Sequence, residues 1–226
     1  MLKVIAFDAD DTLWHNEAFF QETEKKFCIL LENYLPQHTI ARELLQTEIK
    51  NLELYGYGIK AFILSMIETA IRITDKSIPN EAIWKIIEYG QELLNKPVDL
   101  IDGVEDVLQQ LKGTYRLVMA TKGDLLDQER KLKKSGLENY FHHIEIMSEK
   151  KEDDFRKLIK HLDIPPNQFA MIGNSLKSDI APVLNLGGYA FHIPYHVTWA
   201  HERAENQITN EKFKELNSIR ELLKYV

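Results

Sequence analysis

The chain has 226 residues, 44% of them hydrophobic, one cysteine and a net charge of −7. That length suits one α/β domain or a domain carrying a sizeable insertion, and the apolar content is that of a folded chain. The acidic balance argues against nucleic-acid and anionic-membrane partners, which are gripped through clustered Lys and Arg, and the lone Cys28 rules out an internal disulfide and a cysteine-built zinc site. No leader-like N-terminal stretch and no run of about 18 apolar residues is legible, so a reducing cytoplasm is the expected location. Cys28, inside "KKFCILLENY", reads as helix packing.

In chain order, Lys3 to Phe7 is a β-branched and aromatic run that stops abruptly at acids, as a buried parallel strand does. From about Glu17 to Asn95 the pattern becomes helical. "AFFQETEKKFCILLENYL", "ARELLQTEIKNLELYG", "IKAFILSMIETAIRI" and "NEAIWKIIEYGQELLN" space their apolar residues by three and four, with Pro36, Gly56, Gly58 and Pro79 between them. Phe19, Phe20 and Trp84 fall to the core of this helical stretch. Past Pro97, Asp102 and Glu105 stand at capping-box spacing before a helix that runs to about Lys112.

Strands and helices then alternate. "YRLVMAT" is a strand, Leu125 to Lys134 a polar helix, "FHHIEIM" a strand, "DDFRKLIKHL" a helix and "QFAMIGN" a strand. "DIAPVLNLG" is a helix capped by Gly187-Gly188, "GYAFHIP" a strand and "NSIRELLKYV" a closing helix. This alternation predicts a doubly wound parallel α/β sheet. The helical stretch is too long for a crossover, so residues 16–95 form an inserted all-helical domain and residues 1–15 and 96–226 the α/β core.

Ligands of open parallel sheets gather at the carboxyl ends of the strands. There the sequence places Asp8, Asp10, Asp11 and Thr12, then Thr121 and Lys122, then Lys150 and Lys151, then Asn174 with Asp179 five residues on. Carboxylates, a hydroxyl and a lysine at one edge suit a phosphoryl group held with a divalent cation. Plainer readings exist for each residue alone: turn capping for Asp8 and Asp10, a strand-end hydroxyl for Thr121, a solvated residue for Asp179 and above all for Lys151. Capping, however, does not need further acids at the ends of later strands. His192, His196 and His201 lack the helical spacing and supporting acid of a metal site.

"FDADDTL" resembles the first motif of the haloacid dehalogenase-like (HAD) hydrolase superfamily, and "VMATKG" the second. Lys150 in "SEKKEDDF" falls at the third-motif lysine, and "MIGNSLKSDI" resembles the fourth. All four stand in family order over essentially the whole chain, and the helical insertion is similar to that family's C1 cap on a Rossmann-like core. The resemblance implies a magnesium-dependent phosphatase acting on a small phosphorylated metabolite through an aspartyl-phosphate. It makes Asp8 the nucleophile and Asp10 the acid–base, with Thr121, Lys122 and Lys150 binding the phosphoryl group. Mg2+ falls to Asp8, the carbonyl of Asp10, Asn174 and Asp179. One departure stands out: the family's phosphatases commonly carry Asp where this chain has Asn174, which shifts more of the metal's charge onto Asp179. A 2-haloacid dehalogenase, a phosphomutase and a non-catalytic binding protein on the same fold are the alternatives, and Asp10 argues against the first, because halide leaves without a proton.

Overall fold

The structure, a computed structural model, describes residues 1–202 and 208–226. One parallel sheet runs in the order β3-β2-β1-β4-β5-β6, from β1 (Val4–Phe7), β2 (Arg116–Lys122), β3 (His143–Met147), β4 (Phe169–Gly173), β5 (Tyr189–His192) and β6 (Phe213–Glu215). The chain winds outward from β1 through β2 to β3, then returns to lay β4 against the other side of β1. The order reverses there, and the crevice at the carboxyl ends of β1 and β4 is the ligand position of such sheets.

The opening strand is apolar throughout because both of its faces are covered. Successive side chains alternate between faces. Ile5 and Phe7 enter a cluster with Val104, Val107, Leu108 and Leu111 of α5 (Val104–Leu111). Val4 and Ala6 enter another with Phe155, Leu158 and Ile159 of α7 (Glu152–His161). Burying each larger side chain of this kind contributes about 1.5–3 kcal/mol, so the strand that carries the first acids is anchored on both faces.

By its backbone contacts the chain divides into two compact units. One comprises Met1–Glu17, Val98–Lys122 and Gln128–Val226, the other Ala18–Pro97 with Gly123–Asp127. The second unit is built from α1 (Glu17–Leu31), α2 (Gln37–Tyr55), α3 (Ile59–Ile73) and α4 (Asn80–Asn95) around Phe27, Leu31, Leu44, Phe62, Met66 and Ile86. Its α2–α3 seam is polar yet paired: Thr69 Oγ1 donates to Thr47 Oγ1 at 2.9 Å and Asn51 Nδ2 to Ser65 Oγ at 3.2 Å. Cys28 is buried here, and desolvation pushes its thiol up to about 11. In the same unit Lys60 Nζ reaches Asp124 Oδ2 at 2.8 Å.

Several elements differ from the sequence expectation. Trp84 is 58% exposed: it lies two residues, or about 200° of helix, from Ile86, which with Gly90 and Leu93 forms the buried face of α4. Asp102 does not cap α5. Gly103, at φ +87°, is the cap residue, and Asp102 turns to Arg220, whose guanidinium lies where a Cβ on Gly103 would fall. The closing helix is a 3₁₀ segment, Ile219–Lys224, that buries Ile219 and Leu222 at the spacing such turns eclipse. β6 has no sequence signal, being a three-residue charged edge strand. The helix expected from Asp179 begins as a π turn, Leu176–Ile180, and becomes α8 only at Ala181–Asn185. Pro182 has no N–H to give, and the Ala181 N–H reaches back to Leu176 O.

Candidate active site

Asp8 follows the last residue of β1, its N–H donating to Ile172 O of β4 at 2.8 Å. The side chain is buried, and its two oxygens are met separately. Lys150 Nζ ion-pairs with Oδ1, and Thr12 Oγ1 donates to Oδ2 at 3.2 Å. The same Lys150 amine reaches Asp179 Oδ1 at 2.6 Å, and Asp179 Oδ2 accepts the Ser175 N–H at 3.0 Å. Asp179 is brought this close to β4 by Gly173, where a Cβ would stand 2.2 Å from Asp179 Oδ2. Thr12 Oγ1 also lies 3.4 Å from Asn174 Oδ1, and His192 Nε2 donates to the Asn174 carbonyl at 3.0 Å. Asp8, Lys150 and the Asn174–Asp179 segment, far apart in sequence, thus meet at the sheet's switch point.

One lysine faces two buried acids. Desolvation pushes Asp8 up to about 7, Lys150 opposing this and Asp179 adding to it. Burial works against the charge of Lys150, but Asp179 and Asp8 together outweigh it and hold its pKa above the ordinary lysine value. The negative excess, and a donor set made only of carboxylate, amide and carbonyl oxygens, fit a hard divalent cation. Among the described residues no three His, Cys, Asp or Glu side chains are grouped as a metal site, so a cation here would lean on the neutral Asn174 amide.

Asp10 is half-buried and turns its carboxylate to Trp14, Gln128 and Lys131. Asp11 sits at φ +63°, a left-handed conformation Asp tolerates. Its Oδ1 accepts the Asn16 and Glu17 N–H groups at 2.9 and 3.1 Å, closing the turn that carries Asp10. Burial pushes Asp11, too, up to about 7. Thr121 is buried at the end of β2, two residues past Met119, the partner of Phe7. Lys122 is not left open for substrate: its amine ion-pairs with Glu202 and donates to Ser178 Oγ at 3.0 Å. Glu202 also accepts from Ser175 and Ser178; burial alone would raise it, but Lys122 and the two hydroxyls pull it down to about 2. Lys151, beside the buried Lys150, is exposed.

The raised acids make stability depend on pH with a definite sign. Between about pH 5 and 7 folded Asp8 and Asp11 retain protons that the unfolded chain has already lost. The folded state then binds more protons, so stability falls as pH rises through that window. Glu202, lowered in the fold, acts only below its ordinary range and does not interfere. In metal-free solution the urea midpoint should fall from pH 5 to pH 7, and Asp8→Asn or Asp11→Asn should each flatten the slope. A midpoint that rises, or a slope indifferent to both substitutions, would refute the assignment.

Gln128, Lys131, Ser178 and Glu202 lie outside the residues singled out from sequence. Gln128 and Lys131 share one helix face, but a polar face on a helix reads as solvated. Glu202 gave no signal.

Residues 2–187 match the family described as haloacid dehalogenase-like hydrolase. A haloacid dehalogenase-like family hydrolase from Xanthomonas campestris is similar in structure, with a TM-score of 0.88 and 36% identity over 97% of this chain and 88% of that one. A HAD hydrolase from Bacillus subtilis, solved bound to magnesium, shares the fold at 18% identity and a TM-score of 0.65, covering 99% of this chain and 97% of that one. N-acylneuraminate-9-phosphatase of Mus musculus is 32% identical over 93 residues, 39% of this chain and 38% of that protein. The match therefore spans well under half the length of that curated relative. With a family match over most of its length, and an aspartate, lysine and second aspartate joined at the sheet's switch point, the chain belongs to the haloacid dehalogenase-like hydrolases.

Proposed function

We propose that the protein is a magnesium-dependent phosphomonoester hydrolase acting on a small phosphorylated metabolite. The observation that carries this reading is Asp8, buried at the switch point against Lys150, with a second acid, Asp10, two residues further on. In this reading the Asp8 carboxylate attacks phosphorus and forms an aspartyl-phosphate, which water hydrolyses. Asp10 gives a proton to the departing oxygen and later takes one from the attacking water. Thr121 holds a phosphoryl oxygen and Lys150 meets the gathered negative charge. Lys122 serves the substrate if its amine exchanges Glu202 for the phosphoryl group. Mg2+ would be held by Asp8, Asp179, the Asn174 amide and the Asp10 carbonyl, and when bound supplies positive charge beside the phosphoryl oxygens.

A 2-haloacid dehalogenase of the same family has use for Asp8 but not for an acid two residues later, which is why the phosphatase reading is preferred. No nucleic-acid or membrane partner belongs to the proposal. A cytoplasmic location does, supported by the single buried thiol; no described helix is long and apolar enough to cross a membrane. A screen of phosphorylated metabolites with and without magnesium tests the reading. N-acylneuraminate 9-phosphate belongs in that screen because the mouse relative carries its name. Undiminished phosphate hydrolysis in excess chelator would sink the magnesium dependence, and chelator-resistant turnover of a 2-haloacid with none of the phosphates would favour the dehalogenase. Calorimetry of magnesium binding should show Asp179→Ala weakening the site more than Asn174→Ala, because a carboxylate holds the ion better than an amide. The reverse order would place the metal away from Asp179.

A further inference from the structure

The acid–base task given to Asp10 depends on where its carboxylate points, and four N–H···O contacts decide that. Trp14 Nε1 donates to Oδ1 at 2.7 Å, and Gln128 Nε2 to Oδ2 at 2.9 Å. Lys131 Nζ divides itself between them, at 2.8 Å from Oδ1 and 3.0 Å from Oδ2. A carboxylate offers about four lone-pair sites, so the donors engage the whole group. Gln128 and Lys131 lie three residues apart on α6 (Leu125–Ser135), on one face.

Two details separate this arrangement from an ordinary surface ion pair. Gln128 is 2% exposed and spends its amide nitrogen on Asp10 and on the Lys122 carbonyl at 2.8 Å, while its Oε1 finds no partner among the described residues. A flipped amide would aim oxygen at a carboxylate and a carbonyl, so the side chain is held for its donors at the cost of a buried, unpaired acceptor. Lys131 and Asp10 keep only 14% and 24% of their side chains exposed, so the cost of withdrawing both charges from water offsets much of what their attraction contributes to stability. The clamp is a poor device for stability and a good one for direction.

We propose that Gln128 and Lys131 are positioning residues for Asp10, aiming its carboxylate at the oxygens that leave from and attack phosphorus. With all the lone-pair directions engaged, one contact must open for the carboxylate to meet a substrate oxygen. Lys131 is the donor that gives way: its amine is shared between both carboxylate oxygens and Asn16 Oδ1 at 2.9 Å, so it can release one oxygen and keep its other partners. Gln128 and Trp14 hold the plane of the group meanwhile.

The kinetic arm of the test rests on the phosphatase reading. Lys131→Met and Gln128→Leu should lower kcat on an alkyl phosphate by on the order of 10-fold to 10²-fold, the scale of an ångström misplacement. KM should move little, and an aryl phosphate should lose much less. In an Asp10→Asn background, Lys131→Met should cost nothing further. Equal losses on both substrates that add to the Asp10→Asn loss would overturn the proposal in favour of a structural role. Crystal structures of the two variants form the second arm, with the Asp10 carboxylate turned or disordered as the expected result. If the wild-type protein hydrolyses neither phosphate, the phosphatase reading falls while this arm still decides: a displaced Asp10 supports the clamp, and an unmoved one overturns it.

Discussion

Asp8→Asn should abolish phosphatase turnover, with a loss on the order of 10⁶-fold, as for other nucleophile removals. An amide oxygen is too weak a nucleophile to attack a phosphoryl group, so the covalent intermediate cannot form. The substitution keeps the shape of a side chain that is buried between Lys150 and Thr12, and it removes a charge that burial disfavours. The fold should therefore survive, leaving Lys150 paired with Asp179 alone. Mass spectrometry of quenched reactions should find no phosphorylated protein in the variant. Near-normal turnover in a well-folded Asp8→Asn protein would mean that the nucleophile lies elsewhere.

The second large effect concerns Asp10→Asn, which leaves the nucleophile in place. Loss of a general acid–base costs about 10²–10⁴-fold. The deficit should be larger for alkyl than for aryl phosphates, because an aryl oxide leaves with little help from a proton. The same residue is assigned to activate the hydrolytic water, so phosphorylated protein should accumulate. Asn retains one acceptor oxygen but places an NH₂ toward part of the Trp14, Gln128 and Lys131 donor set, and some misorientation will add to the loss. Equal deficits on both substrate classes, with no trapped phosphoenzyme, would make Asp10 a scaffold residue.

What could be read from the sequence follows from where information is local. Asp8, Asn174 and Asp179 were legible because a buried parallel strand announces itself as a short apolar run, and ligand residues follow its carboxyl end. Lys150 was separable from Lys151 by its motif position, and the structure buries the first and exposes the second. The contacts that orient these groups were not legible. Gln128 and Lys131 reach Asp10 across more than a hundred residues, from a helix whose polar face reads as solvated. Glu202 meets Lys122 from a segment without periodic pattern. Asp102 and Trp84 failed for another reason: propensity named a cap and a core residue, but Arg220 and the phase of α4 decided their surroundings.

The strand order also has a consequence in time. β1 is made first, yet it lies in the middle of the sheet, with Val4 paired to Arg116 on one side and to Phe169 on the other. During synthesis its apolar residues must wait for β2 and then β4, while the helices of the second unit, whose contacts are mostly between chain neighbours, can close as soon as they emerge. The nascent protein therefore passes through a stage with a formed helical unit and an unpaired, sticky strand ahead of it. Capture of that strand by a chaperone, or by another nascent chain, competes with the moment when Phe169–Gly173 arrives and completes the cradle around Asp8.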